Sequence, residues 1–149
     1  MNVANVPANA KLLNYFAGRA KQYDYRDPAK VHGTHPDLED HLWKVLGGTL
    51  PEDCHAVVHG SPVLVRPSSG IIFAFAGGTH TYAMRLPPEI RASALKAGAT
   101  RIFHYRSHSK QIDVATFDLS EIGDEWVFCH WLKGEEQWCI AAYEFATDS

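Results

Sequence analysis

A chain of 149 residues, 46% of them hydrophobic, is long enough to bury a core as one globular domain without disulfides or a structural metal. Its 14 basic and 17 acidic residues are interspersed and leave a formal charge of -3, so neither a nucleic-acid backbone nor an anionic membrane surface is indicated as a partner. The longest apolar run, Ile71 to Ala76, falls far short of the roughly 20 residues that span a bilayer.

Cys54, Cys129 and Cys139 form an odd set with no Cys-x-x-Cys pair, and the chain opens Met1-Asn2-Val3 without a basic start or an apolar leader. A reduced, cytoplasmic protein is the expectation. Residues 8–23 place Leu12, Phe16, Ala20 and Tyr23 at helical intervals, which predicts a first amphipathic helix. Asp27-Pro28, Gly33 and His35-Pro36 then break periodicity, so residues 24–36 read as a linker. A second helix is expected from Pro36, capped by Thr34 or His35, with Leu38, Leu42, Val45 and Leu46 on one face and Gly47-Gly48 at its end.

His55 to His59 has the character of a short edge strand before the Gly60-Ser61-Pro62 break. Val63 to Arg66, Ile71 to Ala76 and Thr79 to Leu86 follow as three antiparallel strands. The first turn is Pro67-Ser68-Ser69-Gly70, and the second is a two-residue turn at Gly77-Gly78. That turn would set Phe75 opposite His80, Phe73 opposite Tyr82 and Ile71 opposite Met84 on a core face, joined by Leu64. Pro87-Pro88-Glu89 opens a helix with Ile90, Ala94, Leu95 and Ala97 inward, and Gly98 closes it. Arg101 to Tyr105 and Ile112 to Phe117 predict a second hairpin. Trp126 to Trp131 alternates like a strand, yet a helical stripe also runs from Val127 through Trp131 and Gly134, and both readings stand. Glu135 to Phe145 predicts a closing helix.

The sum is a single α+β domain over residues 1–149: an antiparallel sheet of about five strands, three plus two, with helices packed on it in the order α-α-β3-α-β2-α. Residues 1–36, the first helix and linker, form a segment that can attach loosely. From residue 37 to 146 the order resembles the type III secretion chaperone-like topology of the small YjbR-like and TfoX N-terminal-like domains. The resemblance is one of element order and carries no functional residues across; it implies partner binding and dimers.

No motif names a reaction or a cofactor, and none is expected. Nine histidines raise the question of a metal: His32, His35 and His41 with Asp37 or Asp40 supply ligands for a metal-assisted hydrolase, against the plainer reading of surface and hydrogen-bonded histidines. His59-Gly60-Ser61-Pro62 is not a Gly-x-Ser-x-Gly elbow, so Ser61 reads as a turn residue. Cys-His neighbours at 54–55 and 129–130 point opposite ways along a strand, and Glu135-Glu136 suits the positive end of a helix. A small polar or anionic ligand could be gathered by His59, Arg66, His80, Tyr82 and Arg85 at strand ends. The leading expectation is a non-catalytic binding or adaptor protein acting through its sheet. Val63, Val65, Ile72, Ala74, Thr81 and Ala83 make an apolar face that needs a flat cover: the first helix, a second protomer or a protein partner.

Overall fold

A computed structural model describes residues 3–23, 34–77, 81–106, 113–129 and 131–147. Helix α1 spans Ala10–Tyr23, and α2, Pro36–Asp40, continues as a π-helical turn over His41–Leu46. Strands β1 (His55–Val58), β2 (Ser61–Val65), β3 (Ile72–Gly77) and β4 (Thr81–Arg85) follow in antiparallel succession. Then come α3 (Pro88–Ala97), β5 (Ile102–Arg106), β6 (Asp113–Asp118), β7 (Trp126–Cys129) and α4 (Glu135–Phe145). The fold is α+β. Its five-stranded sheet runs β1-β2-β3-β4-β7, while β5 and β6 form a second, two-stranded sheet. The three-plus-two grouping is thus corrected: the ambiguous Trp126 segment is a strand that completes the sheet beside β4, and the second hairpin stands apart.

The β3–β4 register also departs from the expected one. Gly77 pairs with Thr81, Ala76 with Tyr82 and Ala74 with Met84, so Tyr82 does not stand opposite Phe73 nor Met84 opposite Ile71; the expected Phe75–His80 pair involves a residue outside those described. An irregularity in the β2–β3 ladder adds a second shift, because Leu64 pairs with Ala74 but Val65 pairs with Ile72. Phe73 is the extra residue. A bulge of this kind inverts the alternation beyond it, so Phe73 and Phe75 lie in different cores although two residues apart.

Both faces of the sheet are buried. On one, Leu64, Phe73, Tyr82, Met84 and Val127 pack under Leu38, Leu42 and Leu46 and under Trp138, Cys139 and Ala142 of α4. On the other, Val63, Val65, Ile72, Phe75 and Ala83 lie beneath Leu12 and Phe16 of α1, with Leu119, Ile122, Trp126 and Phe128 completing the layer. Burying Leu12 and Phe16 in full stabilises by about 1.5–3 kcal/mol each. Asn9 fastens the same segment: its Nδ2 donates to the carbonyls of Gly70 (2.8 Å) and Val3 (3.1 Å), and its Oδ1 accepts from the Ile72 amide (2.9 Å). A buried amide thus completes the backbone of β3 where the bulge disturbs the ladder.

The helices follow the expected signals with two exceptions. His35 caps α2, accepting from the Asp37 amide on Nδ1 (3.1 Å), and Gly98, at φ 122, ends α3 while the Ala99 amide reaches back to Ala94. Val45, expected inward, is 42% exposed, because the wider π turn keeps residues 38, 42 and 46 in line and swings position 45 outward. Leu95 and Ala97 are exposed as well, since α3 buries only Ala94 fully. All three cysteines are buried and free. Among the described residues, no helix is long and apolar enough to cross a membrane.

Candidate functional site

The end of α4 that follows β7 brings together side chains from four places in the chain. Gly134, at φ 99, breaks any helical continuation from β7 and lets α4 start at Glu135. Glu135, only 4% exposed, accepts on Oε2 from the Leu132 amide (2.7 Å) and on Oε1 from the Tyr82 hydroxyl. His41, at the start of the π turn, puts Nε2 3.3 Å from the same Oε1 and 3.1 Å from the Tyr82 oxygen. The Tyr82 proton is committed to Glu135, so His41 carries its hydrogen on Nε2 and donates. The Tyr82 oxygen in turn accepts from the Trp131 amide (2.7 Å). No buried side-chain nitrogen or oxygen of His41, Tyr82 or Glu135 is left without a partner, which is the condition for such a cluster to be held stably.

Electrostatics follow from the same contacts. Burial, reinforced by the hydrogen bond and the charge of Glu135, pushes the Tyr82 phenol well above its ordinary pKa. Tyr82 is therefore a fixed neutral donor. Three hydrogen bonds converge on the Glu135 side chain at the start of α4.

Trp131 is the exposed member. Its backbone lies in the left-handed region at φ 57, a conformation that costs a bulky residue on the order of 1–3 kcal/mol. The Tyr82 hydrogen bond holds it there, and the indole packs on His41 (4.7 Å between centroids) and meets Tyr82 edge-on (5.4 Å). Half of the side chain is left to solvent, 51%. A pocket of about 300 Å³ lies beside it, lined by His41, Val45, Trp131, Glu135, Glu136 and Gln137 among others. A π turn and a left-handed tryptophan both border this cavity, and both are irregularities that concentrate at functional sites. The chain matches no protein-family model, no curated protein and no solved structure. The site therefore rests on its geometry.

The residues singled out from sequence are placed as follows. Of the described members of the proposed ligand group, none lines this pocket; fully buried Tyr82 meets it only through its hydrogen bonds to Glu135 and the Trp131 amide. Arg66 stacks on Tyr143 (4.3 Å) and donates to the Tyr143 carbonyl (3.0 Å). Arg85 lies over Phe145 (4.4 Å), 3.4 Å from the Phe145 carbonyl and 3.8 Å from Glu125. Both cations thus serve the far end of α4, whose carbonyl groups attract them. His59 is exposed in the β1–β2 turn at φ 47, and His80 lies outside the described residues. The described members do not converge.

The metal set divides in the same way. His35 is spent as a helix cap, Asp37 points to solvent and Asp40 pairs with Lys44 (3.4 Å), while His41 turns inward to Glu135. His32 lies outside the described residues. Among those described, no three His, Cys, Asp or Glu side chains stand close enough to hold a metal ion.

The expected interaction face is covered by the chain itself. Val63, Val65, Ile72 and Ala83 are at most 1% exposed beneath α1, and Ala74 belongs to the opposite core. Thr81 pairs through its backbone with Gly77, and its side chain lies outside the described residues. Sequence reasoning missed Glu135 and Trp131. Leu132 is not a capping serine or threonine, so the bond from its amide to Glu135 has no sequence signature, and the meeting with His41 and Tyr82 is long-range and leaves no local trace.

Proposed function

We propose that this chain is a small, non-catalytic, cytoplasmic binding protein that recognises its ligand in the pocket beside Trp131. The observation that carries the reading is the half-exposed Trp131 held in a left-handed backbone by a fully buried tyrosine, an expensive way to place an aromatic ring beside a cavity. The sheet, first expected to be the working surface, is occupied on both faces by the chain's own helices. Partner binding is also what the resemblance in element order to secretion chaperone-like domains implies. Three buried, unpaired thiols suit a reducing compartment.

The hydrogen-bonded cluster supports binding better than chemistry. His41 Nε2 and both Glu135 oxygens are engaged within the protein, and Tyr82 is held neutral. A fragment library screened by ligand-observed NMR against the wild type and Trp131→Ala tests this. Binding fragments should lose their signal with the variant. Hits that persist undiminished with Trp131→Ala, or no hits at all, would overturn the pocket as the recognition site.

A further inference from the structure

The pocket's size, walls and charge together define the group it takes. At about 300 Å³ it sits at the lower edge of cavities that enclose a drug-sized ligand, a volume suited to one long side chain. Trp131 and Val45, two of the four large apolar side chains exposed on the described surface, both line it. Because the indole packs on His41 and Tyr82, its orientation is set before any ligand arrives. Leu46, Leu132 and Gly134 add to the apolar lining, and Glu135, Glu136, Gln137 and Lys133 join His41 as its polar part, two of them acidic. Glu135 uses three of its roughly four lone-pair sites internally, which leaves one on Oε2.

An incoming anion would meet two carboxylates, and the positive end of α4 is already spent on Glu135. Lys133 is the only lysine or arginine in the lining and is itself exposed. A cation is favoured, and its shape follows from the ring. A compact ammonium has no flat face to lay on an indole, whereas a planar guanidinium stacks on it and forks its N–H donors toward carboxylates. We infer that the pocket takes the guanidinium of an arginine side chain presented by a partner protein. This rests on the pocket being the recognition site and names what that site recognises.

Titration of the full chain by ¹H–¹⁵N NMR with the peptide acetyl-Gly-Arg-Gly-amide, and with its citrulline and lysine counterparts, tests the assignment. The arginine peptide should shift the Trp131 indole N–H and the Gln137 side-chain signals. Citrulline, flat but uncharged, should bind about tenfold more weakly, as should lysine, and inorganic phosphate should leave the signals in place. Glu136→Gln, an exposed change, should weaken the arginine peptide several-fold without altering the fold, and Trp131→Ala should abolish the shift of the Gln137 signals. Equal binding of arginine and citrulline, or shifts with phosphate and not with arginine, would overturn the guanidinium assignment while leaving the pocket as a binding site. Silence of Trp131 and Gln137 toward every peptide, together with a fragment screen that finds nothing, would overturn both.

Discussion

Trp131 combines a left-handed backbone with a half-exposed ring in one residue. Its φ of 57 is a region that glycine enters freely and that side chains with a Cβ resist. Trp131→Ala and Trp131→Gly both remove the ring, so comparing them isolates the backbone cost. The glycine variant should be the more stable by about 1 kcal/mol in urea unfolding, and equal stabilities would mean that the left-handed conformation is not kept. The buried thiols make a second residue-scale prediction. From an ordinary value of 9.0, burial pushes Cys54 up to about 11 and Cys139 up to about 12. The folded chain therefore holds these protons more tightly than the unfolded one. That contribution to stability is complete below pH 9 and is lost as pH climbs through 11 to 12. Unfolding midpoints should fall over that alkaline range, and native protein at pH 8 should resist thiol-specific alkylation at all three cysteines. Little of this was legible in the sequence, because a left-handed tryptophan has no compositional marker and burial is a property of the whole fold.

At the scale of elements, periodicity located nearly every helix and strand, and register is where it went astray. Alternation in Ile71 to Ala76 suggested one aromatic face, but the step at Leu64/Val65 divides Phe73 from Phe75. The π turn in His41–Leu46 similarly rotated Val45 out of the apolar stripe. Each is a single extra residue, and the side-chain periods that sequence reasoning relies on cannot see it. Glycine signals divided: Gly98 sits at φ 122 at the close of α3, where the sequence placed it, whereas Gly77, expected in a turn, pairs with Thr81 inside the ladder. The bulge also explains Asn9, whose side chain supplies hydrogen bonds that β3 lacks there. Asn9→Ala would leave the Ile72 amide and the Gly70 carbonyl buried without partners and should cost about 2–4 kcal/mol in urea unfolding. A loss below about 0.5 kcal/mol would show that the N-terminal segment is not fastened in this way.

At the scale of the molecule, the α+β class and the need for something to cover the second sheet face were both legible from the small, β-branched residues in the strands. Which of three covers was used was not. Leu12 and Phe16 offered too short a stripe to single out α1 over a partner until their contacts with Val63, Val65 and Ile72 were known. The site was less legible still, since His41, Tyr82 and Glu135 are separated by 41 and 53 residues and meet only in the folded chain. That leaves the account resting on one claim: the sheet is sealed internally and recognition falls to the pocket at Trp131. Urea unfolding of Ile72→Lys and Trp131→Ala, measured side by side, tests it most directly. Ile72→Lys puts a charge beneath α1 and should lose about 4 kcal/mol or more, or fail to fold, while Trp131→Ala should stay within about 1 kcal/mol of the wild type. An Ile72→Lys protein that folds with near wild-type stability would show an open sheet face and contradict the account.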